Sequence, residues 1–427
     1  MRLLTLGCRL NQSESEETLR SLAGAGCDIT SGDDADIVVV NTCTVTADAS
    51  RSSRKLIRKA TRSGARVVVT GCYAVAEPEW VSEHDGVDEV VANNDKDALA
   101  TRVATLAGIT PAAGREWPVA FLGRHEPNVR QAFKVQTGCD ESCSFCIIPA
   151  TRGPLESRDG DAIIDGIRAQ VAAGAAEVAL TGVQLGKYGQ DRAEPGALAG
   201  LVRRILGEVP ELTWLRLSSI EAICVDDELL DLMATEPRIC KHLHVPLQSG
   251  DDRVLAEMRR PCDAQTYVDI LQRARYALGD DAGLTADVLV GFPGETEAAF
   301  AASCATVRAA GLTKLHVFRY SQRPGTDAAA RHDQIPEQIK KSRSAELRGV
   351  GDELAERFNR RLVGRSVPVM IERVTGERLA GTTGSYVKVD AAGSSSLVGS
   401  VVAANVLSAS AQGVQAAVKP ARGTVEN

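Results

Sequence analysis

The apolar positions of the first hundred residues gather into three short runs, Arg2 to Leu6, Asp36 to Val40 and Arg66 to Thr70. Each gives way to a polar turn and then to a segment with helical periodicity, so the pattern predicts strand, turn and helix three times over. Ser13 and Glu16 have capping-box spacing and predict the start of the first helix. Alternating strands and helices predict a parallel sheet. Residues 108–125 are rich in Gly, Pro and Ala and read as a linker. From Gln131 the rhythm restarts, with strand-like runs at Ala132 to Gln136, Glu177 to Leu180, Trp214 to Leu217, Leu243 to Leu247, Leu284 to Val290 and Lys314 to Phe318. Helical patterns separate them, as over Asp161 to Ala173 and Ala264 to Ala277. Six such units predict a partial (βα)6 parallel barrel, short of the full eight. A charged helical stretch from Pro336 to Arg361 closes it. Beyond lie VPVMIERV, GERLAGTTGSYVKVD and LVGSVVAANVL, short strands with Gly-rich turns that predict a small all-β barrel. The expected fold is α/β in three domains: a parallel α/β domain over 1–110, the partial barrel over 125–362 and the β barrel over 363–427.

Composition narrows the class. The chain has 427 residues, 44% apolar and 25% charged, which is ordinary for a globular protein of several domains. No apolar run reaches the roughly 18 residues of a membrane span. The opening residues, MRLLTLGCRLNQSESE, lack an export signal. With eleven cysteines, this predicts a reducing, cytoplasmic setting and metal or redox chemistry rather than a disulfide scaffold. The net charge is -7, whereas a protein that coats nucleic acid is usually basic. Any RNA contact must therefore be local. Residues 361–427 carry seven basic and four acidic groups, leaving -10 for the rest of the chain. The stretch Arg51 to Arg62 carries six basic residues. It reads either as a solvated face or as a patch that tracks phosphates.

The candidate chemistry lies in cysteines. All three early strands run straight into one, at Leu6-Gly7-Cys8, Asn41-Thr42-Cys43 and Thr70-Gly71-Cys72. Ligands of open parallel sheets bind at these strand ends, which would bring the three thiols to one point. Taken singly, each would be a buried small hydrophobe. A second triad, Cys139, Cys143 and Cys146, has C-x3-C-x2-C spacing. An iron–sulfur cube takes four ligands, so three cysteines leave one iron open. Structural zinc would want a fourth ligand, and the nearest candidates are Cys224 and His125. Thr181, Gly182, Ser218, Ser219, Glu221 and Gln248 end barrel strands, where active-site groups sit. Glu221 reads equally as a helix-start residue. Gly291 opens the string GFPGET, which is either a plain strand-to-helix turn or a place where a ligand approaches the backbone. Cys27, Cys224, Cys240, Cys262 and Cys304 lack such spacing and read as core or surface thiols. His242 and His244 flank a strand, share a face and suit packing better than metal ligation.

The second triad, in a partial barrel, resembles the radical S-adenosylmethionine (SAM) superfamily. There the open iron binds the amino and carboxylate groups of SAM, and an electron from the cluster cleaves SAM to a 5′-deoxyadenosyl radical. The first triad, with its flanks LGCRLNQSESE, NTCTVTADASRSSRK and VVVTGCYA, is similar to the amino-terminal domain of the radical SAM methylthiotransferases. GCDESCSFCIIPATRGPLESR and HLHVPLQSGDDRVLAEMRR follow the same family. The strings LTGVQLGKYG, RLSSIE and VFRYSQRPGT look most like its members acting on N6-threonylcarbamoyladenosine beside the tRNA anticodon. The resemblance implies two [4Fe-4S] clusters, one on Cys8, Cys43 and Cys72 and one on Cys139, Cys143 and Cys146. It implies SAM against Phe145, Thr181, Gly182, Ser218, Glu221, Gln248 and Gly291, with Thr181 and Gly182 acting through backbone atoms. It implies methylthio transfer to carbon 2 of the base, and a TRAM-like RNA-binding tail. The implied partners are the anticodon arm of tRNA, an electron donor such as a flavodoxin-type protein, and a sulfur source. Family members acting on isopentenyladenosine or on a ribosomal protein are alternatives, as is a non-catalytic iron–sulfur RNA-binding or electron-carrier protein. Neither triad lies in residues 366–427, so the tail is expected to be removable without loss of SAM cleavage.

Overall fold

The computed structural model describes residues 1–109, 129–194 and 196–418. The expected linker from residue 110 onward, His125, and the tail charges Lys419, Arg422 and Glu426 lie outside the described residues. In the first layer, β1 (Arg2–Thr5), β2 (Ile37–Thr42), β3 (Arg66–Gly71) and β4 (Glu89–Val91) pair in that order, all parallel. The valine runs of β2 and β3 are buried almost throughout, as a sheet covered on both faces requires. The fourth strand escapes sequence reading because it is only three residues long. Helix α1 spans Arg9–Gly24 and its N-cap is Cys8, so the capping box expected at Ser13 does not form. The helix starts directly after the strand-end cysteine. Ser13, already inside it, instead accepts a 2.9 Å hydrogen bond from the Lys134 amide. Helix α2 (Ala47–Thr61) follows β2.

The central part has the six expected strands: β5 (Arg130–Lys134), β6 (Glu177–Thr181), β7 (Trp214–Leu217), β8 (His242–His244), β9 (Gly283–Val290) and β10 (Lys314–Arg319). They form two parallel three-stranded sheets, joined by the bridges Leu215 to Ile239 and Ser219 to His244. Among the described residues β10 and β5 do not pair, so the wall stays open on one side. Leu284, Ala286, Val288, Val290, Leu315 and Val317 belong to the core beneath the surrounding helices. Side chains alternate along a strand, so Thr285 and Asp287, and Lys314, His316 and Phe318, face the lumen. Helix α3 (Glu337–Arg360) packs along β10, with Gly351 against Leu315.

Five strands, β11 (Ser366–Thr375), β12 (Arg378–Thr383), β13 (Lys388–Ala392), β14 (Val401–Ser410) and β15 (Gly413–Val418), close into a barrel in the order β11-β12-β13-β15-β14. The β12–β13 turn plugs the floor of the central barrel. Arg216, fully buried, donates to the carbonyls of Gly384 (3.0 Å) and Thr383 (3.2 Å). A Cβ on Gly283 would stand 2.1 Å from the Ser385 carbonyl oxygen, so only glycine admits the turn. Tyr386, at φ 69°, stacks on His242 at 4.7 Å. The tail is therefore part of the barrel, and its clean removal is not to be expected. The amino-terminal layer spans the open side: Ser13 meets β5, Arg323 beyond β10 donates to Ser50 Oγ (3.0 Å), and Arg9 donates to the Tyr386 hydroxyl.

Candidate active site

Cys8, Cys43 and Cys72 all stand at carboxyl ends of β1, β2 and β3, where the strand–turn pattern puts them. Two hydrogen bonds to Ser53 of α2 hold Cys43: its amide donates at 3.0 Å and its carbonyl accepts at 2.7 Å. Asn93 donates to Cys72 Sγ (3.6 Å) and to the Thr151 carbonyl (2.7 Å), tying this triad to the segment after the other one. Gly7 has φ 101°, and a Cβ there would lie 2.8 Å from Cys43 Sγ. The glycine is thus what lets the Cys8 loop close over its neighbour. Burial, then the neighbouring Cys8 and Cys72, push the Cys43 thiol up to about 11.

Beneath this triad lies a buried ionic network. Arg152 donates to Glu14 (2.8 and 3.2 Å) and to Asn11 (2.5 Å), and Lys96 donates to Glu14 (2.5 Å). Burial alone would raise the Glu14 carboxyl, but Lys96, Arg152 and Lys134 hold it well below the usual carboxylate range. Two cations on one carboxylate, Arg152 buried and Lys96 nearly so, leave positive charge facing Cys8 and Cys72. Arg323 adds a cation beside Cys43.

The second triad sits after β5, at the barrel roof. Burial pushes Cys139 up to about 12 and Cys146 up to about 11, with neighbouring thiols adding to it. Arg260 reaches Cys143 Sγ (3.7 Å) and ion-pairs with Glu221, while Glu141 donates its amide to Cys139 Sγ (3.4 Å). Glu221 does precede a short 3-10 helix but makes no side-chain cap. Its carboxylate is spent on Arg260, which couples the end of β7 to the triad.

The other expected cofactor residues divide. Among the described residues Ser218 Oγ, buried beyond β7, has no partner, and neither does the buried Gln184 Oε1 beyond β6, which sequence reading missed. Such orphaned buried groups fit a polar ligand, since a native site rarely leaves them unmet. Gln248 takes a left-handed φ of 67° beyond β8. Phe145 packs edge-on to Phe292. Thr181 spends its carbonyl on the Val135 amide (2.9 Å). A Cβ on Gly182 would strike Gln136 Oε1 at 2.6 Å. Gly291 gives its amide to Glu295 (2.7 Å) and packs under Lys340, so the turn itself demands glycine here. Cys27, Cys240 and Cys304 are buried and Cys224 and Cys262 half-buried. His242 Nε2 and His244 Nδ1 both bond Thr285 Oγ1, at 3.0 and 2.9 Å, so they do share a face.

Each triad offers three thiols, the donor set of an iron–sulfur cube with one open corner. Among the described residues no three His, Cys, Asp or Glu side chains stand close enough to grip a single ion.

Residues 1–92 match the model of the uncharacterized protein family UPF0004, and residues 133–307 that of the radical SAM superfamily. The chain is 34% identical to the threonylcarbamoyladenosine tRNA methylthiotransferase MtaB of Bacillus subtilis, over 95% of this chain and 93% of that one. It is 32% identical to MtaB of Thermotoga maritima, over 97% and 96%. It is 36% identical to the ribosomal protein uS12 methylthiotransferase RimO of Syntrophotalea carbinolica, over 88% and 85%. Among solved structures, the radical SAM methyltransferase TsrM of Kitasatospora setae shares the fold, with a TM-score of 0.56 at 19% identity over 77% of this chain and 76% of that one.

Proposed function

Since the chain belongs to the radical SAM methylthiotransferase family, we propose that it transfers a methylthio group to carbon 2 of N6-threonylcarbamoyladenosine next to the anticodon of tRNA. Enzymes of this family use SAM and two [4Fe-4S] clusters. The observation that carries the proposal is full-length likeness to the MtaB enzymes, supported by two cysteine triads whose members couple electrostatically. Cys8, Cys43 and Cys72 would hold one cluster, and Cys139, Cys143 and Cys146 the other. Ser218, Gln184, Gln248, Phe145 and Glu221 surround the place for SAM, with Thr181, Gly182 and Gly291 shaping its backbone wall. When bound, these groups supply the radical, the sulfur and the methyl that an unactivated aromatic carbon needs. The protein's own work is to orient and to keep water out. Arg260 fixes Cys143 against Glu221, and the amino-terminal layer covers the open side of the barrel. We assign residues 1–110 to the first cluster, 125–362 to the SAM cluster and 363–427 to a TRAM-like RNA module. A flavodoxin-type protein as electron donor and a cytoplasmic location complete the reading. No helix of the described residues is long and apolar enough to cross a membrane.

Nucleoside mass spectrometry of tRNA from a strain lacking this protein tests the reaction. The 2-methylthio form should vanish and N6-threonylcarbamoyladenosine accumulate. Loss of a methylthiolated isopentenyladenosine, or of the ribosomal-protein modification, would assign the alternative substrate instead.

Helix α2 supplies the candidate phosphate track. Arg54 and Arg58 lie over the rings of Tyr73 and Trp80. Lys55, Lys59 and Arg62 are exposed at helical spacing on one face. Replacing these three by Gln should flatten the slope of log affinity for tRNA against log salt by about two, from counterion release of about 0.7 to 0.9 per contact. An unchanged slope would reduce the helix to a solvated face.

A further inference from the structure

Four cations gather at the lumen floor, and among the described residues carboxylates neutralise only two of them. Four positive groups surround the ring of Tyr386: Arg216 at 5.0 Å, Arg9 and Arg130 at 5.4 Å, and Lys314 at 5.8 Å. Two are balanced. Arg130 and Arg216 share Glu177, and Arg130 also meets Glu372. Arg9 and Lys314 have no carboxylate partner among the described residues. Both are half-buried. A desolvated cation without a counter-ion is costly, and a chain of net charge -7 has carboxylates to spare.

The groups around them are already committed. His244 Nε2 meets Asp287 Oδ1 at 3.2 Å while its Nδ1 meets Thr285, so Asp287 is engaged on its own side of the lumen. His316 lies across from Asp287 on the neighbouring strand, 5.6 Å from the His244 ring, and no hydrogen bond engages its nitrogens among the described residues. Lys314 and His316 also line a cleft of about 740 Å³ that runs from Arg130 and Tyr386 to Arg373 and Lys388 of the carboxy-terminal barrel. A ligand arriving over that barrel therefore reaches them directly. Two residues farther along the same face, Phe318 is 39% exposed, a free ring for a base to lie against.

We propose that Arg9, Lys314 and His316 form an anion subsite that receives the carboxylate of the acylated target adenosine. The proposal rests on the reading of the reaction given above and deepens it. The threonylcarbamoyl group ends in a carboxylate, whereas an isopentenyl group is apolar and would leave both cations unmet. The same chemistry could serve a backbone phosphate, and the test separates the two.

The holoenzyme, loaded with both clusters, is given anticodon stem-loops that differ only at the target adenosine: the free acid, its methyl ester and unmodified adenosine. The expected result is a kcat/KM for the acid about ten- to a hundredfold above the ester, the usual worth of a charge-assisted contact. Lys314→Met should pull that ratio toward one by lowering the acid more than the ester, and His316→Gln should act in the same sense. Each ratio is internal to one protein, so partial loss of folded enzyme does not mimic it. Equal handling of acid and ester by the unsubstituted enzyme overturns the subsite. So does a Lys314→Met loss of binding that is as large for unmodified adenosine as for the acid, which would make the anion a phosphate. If neither loop is thiolated, the reading of the reaction fails separately. Equal Kd values for acid and ester would then remove the subsite too.

Discussion

Cys43→Ala should abolish methylthio transfer and leave reductive cleavage of SAM intact, whereas Cys143→Ala should abolish both. The reason is geometric. Cys43 is clamped by Ser53 at the end of β2, and Cys143 is held by Arg260 at the barrel roof, so neither substitution touches the other triad. Reconstituted protein should hold about eight irons, and replacing Cys139, Cys143 and Cys146 together should leave about half. The measurements are iron content, 5′-deoxyadenosine release and thiolated nucleoside on the same preparations. A Cys43→Ala protein that keeps its barrel iron yet releases no 5′-deoxyadenosine would end the division of labour between the two sites. Zinc in place of iron would end the assignment altogether.

Glu14→Gln should cost about 3 to 5 kcal/mol of stability, the range for breaking one partner of a buried ion pair. The substitution strands Lys96 and Arg152, whose side chains are 7% and 2% exposed. The effect has a pH signature. The Glu14 carboxyl is held below its unfolded value, so its contribution is fully present only above about pH 5 and fades as pH falls toward the folded value. The gap between unsubstituted and Glu14→Gln protein in thermal or urea unfolding should therefore be widest at neutral pH and shrink under acid. A gap below about 1 kcal/mol at pH 7 would show that Asn11 and water meet the two cations unaided. Arg152→Met should act in the same direction but more mildly, because Lys96 and Lys134 stay with Glu14.

The parts legible in the sequence are those written locally. Strand, turn and cysteine follow one another within a few residues, so Cys8, Cys43 and Cys72 could be placed on strand ends from the sequence, and the second triad from its spacing. The six barrel strands announced themselves through valine- and leucine-rich runs that two-sided burial demands. The misses have a common cause in distance along the chain. Glu14 and Arg152 are 138 residues apart, and no periodicity joins them. Tyr386 looked like part of a glycine-rich hairpin, yet its partners include Arg9, 377 residues away. Ser13 and Glu16 had the right spacing for a cap, but the strand-end cysteine already began the helix, and Ser13 was recruited by the Lys134 amide. Gly291 read as a turn or a ligand approach, and nothing in the sequence signals that Glu295 and Lys340 close that turn.

The plugging of the barrel floor bears on how the molecule is made. Synthesis runs from the amino terminus, and domains generally fold as units in that order. Here Arg130, Glu177 and Arg216 leave the ribosome long before Thr383 and Gly384, whose carbonyls complete the hydrogen bonding of Arg216. Until that turn arrives, the lower end of the barrel must remain wet, and the guanidinium must find water in place of peptide oxygen. The nascent enzyme is thus an open cup for most of its synthesis, and Arg216 gains its peptide partners only when the last module docks beneath it.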